Sequence, residues 1–157
     1  MTDDKWKKCL KYFILFITGY CLYIAIEITF RGYSYVLMGL VGAITFILND
    51  RIQNVISWET DIILQGCIGS AMVTLFELVI GELYKFMNWA PMWDYSSVPL
   101  NFDGVICFPF SLIWIALSIV GIFISDSINY YMLHESPQPY YRILGYRFML
   151  PKRSCEE

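Results

Sequence analysis

The sequence predicts an all-α, polytopic membrane fold: a four-helix transmembrane bundle with both termini cytoplasmic. Three observations predict it. Four runs, residues 12–30, 34–49, 62–84 and 105–125, are almost free of charge. Three of them approach or exceed the roughly 20 residues that a helix needs to cross the hydrocarbon core. Hydrophobic residues make up 57% of the 157 and charged residues 16%, where a soluble domain carries about 25% charged. Lysine and arginine are also unevenly placed. Nine lie in the N-terminal arm, the link between the second and third runs, and the C-terminal tail, against two, Arg31 and Lys85, in the other loops. The positive-inside rule puts the nine in the cytoplasm, on the inner side of the cell membrane.

Each element has its own grounds. Lys5, Lys7, Lys8 and Lys11 precede the first run, as in a signal peptide, but no small-residue cleavage site follows and three more apolar runs do. The first run therefore reads as a retained span, with Tyr20, Tyr23, Glu27 and Arg31 on one face. The second run is short. It carries Gly39 and Ala43 as a small-x-x-x-small pair, and either crosses completely or is partly re-entrant, which would leave three spans. Ser57, Glu59 and Asp61 in the following link mark a helix start, with acids at the positive end of the dipole. In the third span Gly66, Ser70, Thr74, Glu77 and Gly81 form one helical stripe, and in the fourth Ser111, Trp114, Ser118, Gly121 and Ser125 form another. Such stripes either pack helices closely or line a polar cavity. Residues 86–104 form an external aromatic loop. Residues 1–126 make the membrane domain, and 127–157 a cytoplasmic tail whose long helices Pro137 and Pro139 would break. Trp6 and Trp58 on the inner side and Tyr33, Tyr35, Tyr84, Trp89 and Trp93 on the outer side fit interfacial belts.

Composition excludes several classes. A net charge of −3 gives no basic footprint for nucleic acid. Five scattered cysteines make no disulfide framework, and His134 is the single histidine, so neither a histidine-rich metal site nor a cofactor site is expected. Mean hydropathy is +0.52, and the bilayer itself is the first partner.

Two acids inside apolar runs stand out, because a carboxylate in the bilayer usually faces protein or water and marks function. Glu27 has Arg31 one turn on, so an interfacial ion pair competes with a functional role. Glu77 has no basic residue within a turn. Gly19 precedes Glu27 by eight residues, and Gly69 precedes Glu77 by eight. Each glutamate lies 15 residues, roughly 22 Å, from the inner end of its run. A repeat of two helix pairs would account for this. The external loop is either an interfacial anchor or a lid over the glutamates.

The loop and its flanks carry a resemblance. Phe76-Glu77 and Gly81 are followed by Trp93-Asp94-Tyr95-Ser96-x-x-Pro99-x-Asn101-x-x-Gly104. Ile106-Cys107, Phe110-Ser111 and Trp114 continue the pattern. It is similar to the type IV ABC-transporter permease family, small bacterial multi-spanning proteins. The likeness is dense from Gly69 to Asp126, weaker over the first two spans, and reaches Pro139-Tyr140-Tyr141. Longer relatives have a more elaborate first half, parts of which this chain lacks. The resemblance implies Glu77, Trp93, Asp94, Tyr95, Pro99, Asn101 and Trp114 as signature positions, with Glu27 added by its place in the first span.

The expected function is a permease-like subunit of a transport system. No G-x-x-x-x-G-K-[ST] loop is present, so the motor would be a separate ATP-binding subunit. Four spans are few for a pathway, so a homo-oligomer is expected. The alternative is a small membrane sensor that binds a ligand or lipid through the external loop. An enzyme is not expected: there is no G-x-G-D pattern, no serine–histidine pair and no metal set, and two carboxylates alone are a weak catalytic signal.

Overall fold

A computed structural model describes residues 2–135 and 137–153. Four α-helices dominate: α1 (Thr2–Arg31), α2 (Val36–Val55), α3 (Ile62–Phe86) and α4 (Phe108–Ser127). A π-helical turn, Ile128–Met132, extends α4. Strands β1 (Asn101–Phe102) and β2 (Ile106–Cys107) pair antiparallel, as do β3 (Tyr140–Ile143) and β4 (Tyr146–Met149). The chain divides into two compact units, one formed by residues up to Ile62 with those from Val120 onward, the other by Ile63–Ile119.

Among the described residues, three helices are long and apolar enough to cross a membrane: Lys5–Arg31, Ile62–Phe86 and Phe108–Met132. Their outward side chains include Phe13, Ile17, Leu64, Leu75, Leu112 and Ile113, all exposed in the isolated chain. Hydrocarbon suits such a surface and water does not. The helices overrun the apolar runs. α1 begins ten residues before residue 12, because nothing in the lysine-rich arm breaks a helix. α2 continues six residues past residue 49 and takes in Asp50 and Arg51.

In the first unit α1 and α2 run antiparallel at close range. A Cβ on Gly19 would strike Phe46 and come within 2.8 Å of the Gly42 carbonyl oxygen. Gly39 and Gly42 likewise admit the rings of Tyr20 and Tyr23. The aromatic face of α1 thus packs on the small face of α2, and dispersion between backbones replaces the hydrophobic effect that lipid cannot supply. Leu15, Phe46 and Ile128 form the core beneath, with Ile47 and Ile124 against them.

The tail folds onto the same unit as a β3–β4 hairpin. Tyr141 is fully buried; its ring meets Phe123 at 4.2 Å and its hydroxyl donates to the Asp126 carboxylate at 2.9 Å. Burial pushes the Tyr141 hydroxyl pKa up. Tyr140 Oη and Arg142 Nη1 both donate to Glu59 at 2.8 Å. The Tyr140 bond, with Arg142 behind it, holds the Glu59 carboxyl below its usual range. Leu144 and Gly145 form the hairpin turn with φ of 48° and 88°, the two positive values that a type I′ turn requires.

In the second unit α3 and the first part of α4 run antiparallel, with the two small-residue stripes together. Ser70 Oγ donates to the Ser111 carbonyl at 2.6 Å, and the Thr74 and Ser111 hydroxyls meet at 3.1 Å. A Cβ on Gly66 would lie 3.0 Å from the Ile115 carbonyl oxygen.

The glycines separate packing from propensity. Gly19→Ala should destabilise by about 1–3 kcal/mol through overpacking. Gly121→Ala meets nothing nearer than 3.5 Å and should be neutral or gain up to about 1 kcal/mol of helix propensity. Thermal unfolding of both variants in detergent checks the contrast. Equal effects would remove Gly19 from a tight interface.

Candidate functional site

The second unit is organised around Glu77. Its helical position follows from the stripe on α3, and it is 3% exposed. Trp114 Nε1 donates to Oε2 at 3.2 Å from α4, and Tyr95 Oη donates to Oε1 at 3.2 Å from the loop. Both are hydrogen-bond donors aimed at a carboxylate, which is what a buried acid requires. Tyr95 is also fixed by its ring, stacked on Phe110 with centroids 4.7 Å apart.

The loop that delivers Tyr95 is tied by its own side chains. Asp94 Oδ1 accepts from the Ser96 backbone N–H at 2.8 Å and from the Ser96 hydroxyl. Those bonds, the hydroxyl first, hold the Asp94 carboxyl below its ordinary range. Asn101 Nδ2 donates to the Val98 carbonyl at 2.7 Å, and Asn101 Oδ1 accepts from the Gly104 N–H at 3.1 Å. Gly104, at φ 67°, has no room for a Cβ beside the Ser96 hydroxyl, and its carbonyl accepts from the Tyr95 N–H at 2.8 Å. β1 and β2 close the loop's return into α4. Trp93 Nε1 donates to the Val105 carbonyl at 2.8 Å, and Val105 packs into the space left by Gly81 on α3. Lys85 donates to the Asp103 carbonyl at 2.6 Å and pairs with its carboxylate, which holds that carboxyl low.

The expected site residues therefore differ in role. Glu77, Tyr95 and Trp114 meet directly. Trp93 joins through Val105. Asp94 and Asn101 are exposed and shape the loop without touching Glu77. Pro99 is exposed as well. A cleft of about 240 Å³ lies between the loop and the C-terminal part of α3, lined by Tyr84, Lys85, Trp89, Trp93 and Asp94 among others. Glu27 belongs to the first unit. There Arg31 donates to it at 2.6 Å, Ser34 Oγ also donates, and the Arg31 guanidinium lies over the Tyr33 ring at 4.9 Å. This is the ion pair at the C-terminal end of α1.

A second buried polar cluster was not among the expected sites. In the first unit Asn129 Nδ2 donates to Asp50 Oδ1, and Lys11 reaches Asp50 Oδ2 at 3.4 Å. Asp50, Asp126, Asn49 and Asn129 are all at most 6% exposed. Asn129 lies in the π-helical turn, a distortion that recurs at functional sites. In the sequence Asn49, Asp50 and Asp126 read as the ends of apolar runs. The available signal was that polar residues at two such ends could lie within helices rather than beyond them.

A family model described as "Putative ABC-transporter type IV" matches residues 10–150. The chain belongs to this family. No curated protein and no solved structure matches it. With three membrane-capable helices, membership makes this ABC-transporter-type chain a membrane protein related to transport. The matched residues include the whole Glu77 network and both strands of the tail hairpin.

The network implies an order of variants. In Glu77→Gln the amide oxygen can face the indole N–H and the amide nitrogen can face the Tyr95 hydroxyl, which also accepts. Glu77→Leu removes the carboxylate that accepts from the buried Trp114 indole and the half-buried Tyr95 hydroxyl, at about 1–3 kcal/mol for a buried bond. Thermal unfolding in detergent should therefore rank wild type, then Gln, then Leu. A Leu variant as stable as wild type would show that these bonds do not hold the unit.

Proposed function

We propose that the chain is a permease-like subunit of a transport system in the cell membrane, driven by a separate ATP-binding subunit. The observation that carries this reading is Glu77, a carboxylate buried within a membrane-capable helix and gripped by side chains from α4 and the external loop. Intramembrane acids are costly and mark transport pathways more often than packing. A buried carboxyl that can take or release a proton or cation, under a loop that holds one of its donors, is a workable element of a gated pathway. Substrate contact with the loop would be felt at the acid through Tyr95.

The proposal includes four crossings with both termini cytoplasmic. α2 supports the fourth, since its 20 residues give roughly 30 Å and it lies antiparallel to α1 from Tyr20 against Gly39 to Tyr12 against Arg51. The nine-to-two distribution of basic residues supports the orientation. A pathway of this length needs more helices than one copy has, so self-association is part of the proposal. Catalysis within the chain is not.

The external cleft favours a second reading, in which the chain senses a small molecule or headgroup. Aromatic faces of Tyr84, Trp89 and Trp93 with a nearby carboxylate suit such a ligand.

Affinity purification in mild detergent separates the two. Co-elution of an ATP-binding polypeptide, with ATPase activity altered by Glu77→Gln, is the expected result. A monodisperse protein that elutes without an ATPase and binds its ligand regardless of Glu77 would contradict the transport reading.

A further inference from the structure

The tail hairpin is amphipathic, and its apolar face grows steadily more exposed, among the described residues, from Tyr141 toward the turn. The register pairs Tyr141 with Phe148 and Ile143 with Tyr146, which puts these four side chains on one face. Tyr140, Arg142, Arg147 and Met149 lie on the other. That second face is used within the unit: Arg142 and Tyr140 hold Glu59, Tyr140 packs on Trp58, and Arg147 covers the Tyr140 ring at 3.7 Å. The apolar face is anchored at Tyr141, on Phe123 and Asp126 of α4. From there outward exposure rises, with Ile143 at 38%. Tyr146 is 82% exposed, Phe148 53%, and Leu144 at the tip 78%.

Two features say what covers it. The first is where the hairpin is fastened. Asp126 lies inside the membrane-capable segment Phe108–Met132. Asp61, whose carboxylate accepts the Leu144 N–H, immediately precedes the membrane-capable α3. Both attachments therefore hold the hairpin at the level where membrane helices meet the headgroups, and its apolar face starts on a side chain of such a helix. The second is the turn. Its first position has φ 48°, which favours asparagine, aspartate or glycine, and leucine occupies it instead. An apolar side chain stands at the tip, where a polar one would fit the backbone better.

We propose that the β3–β4 hairpin is a membrane-interface anchor, with Leu144, Tyr146 and Phe148 inserted among the lipid headgroups and upper acyl chains of the leaflet where α3 begins. Aromatic side chains favour this depth because they are apolar on one side and polar on the other. The hairpin then couples the bilayer surface to Asp126 through Tyr141, and to the start of α3 through Asp61.

The test uses the whole protein reconstituted in vesicles of phosphatidylethanolamine and phosphatidylglycerol containing a phospholipid with a photoactivatable diazirine near the top of one acyl chain. After illumination, adducts are mapped by mass spectrometry. Lipid adducts on the peptide carrying Leu144, Tyr146 and Phe148 are expected, at a yield comparable with Phe13 and Ile17 on the outer face of α1. Leu144→Asp, an exposed change that leaves the Tyr141 anchor intact, should cut the hairpin yield several-fold without changing that of α1. Absence of lipid adducts on the hairpin while α1 is labelled would overturn the proposal. So would links from the hairpin to a second copy of the chain in place of lipid, which would make the face a protein interface.

Discussion

A carboxylate buried in a membrane helix must meet hydrogen-bond donors, because the hydrocarbon offers none. Glu77 sits under this constraint, and much of the second unit follows from it. Trp114 supplies one donor and fixes how α4 faces α3. Tyr95 supplies the other, which requires the loop after α3 to fold back over the helix end. The loop can do so because Asp94, Asn101 and Gly104 satisfy its backbone internally. The small residues of the two stripes let the helices approach closely enough for a single carboxylate to bridge them.

The first unit obeys the same rule. Asp126 receives the Tyr141 hydroxyl from the tail, as Glu77 receives the Tyr95 hydroxyl from the loop. In both units a segment outside the helices is fastened to a buried acid by a tyrosine. Asp50 is met by Asn129 and Lys11 from different elements, so α1, α2 and the end of α4 share one polar contact. A change of charge at Glu77 or Asp126 would alter a bond that positions a segment outside the helices.

The sequence showed the apolar runs, the two stripes and the loop chemistry clearly, because each depends on local spacing. Gly66, Ser70 and Thr74 could be assigned to one face from a period of 3.6 alone. The partner of Glu77 could not, since nothing in a spacing links residue 77 to residue 95 or 114; only the resemblance put the three together. Helix ends were hidden for another reason. Helical hydrogen bonding ignores side-chain polarity, so α2 ran through Asp50 and Arg51 although the apolar run had ended. The tail hairpin was missed because Leu144-Gly145 lacks the asparagine or aspartate that announces a two-residue turn. Glu27 had two readings, and its bond to Arg31 accounts for it locally.

The central claim is that Glu77 and Tyr95 act as one unit that fastens the loop between α3 and α4 to the helix pair. A double-mutant cycle of Glu77→Leu and Tyr95→Phe, read by thermal and denaturant unfolding in detergent, measures it most directly. The account requires a coupling of about 0.5–3 kcal/mol, with the second substitution costing much less once the first is present. Additive effects within about 0.3–0.5 kcal/mol would contradict it.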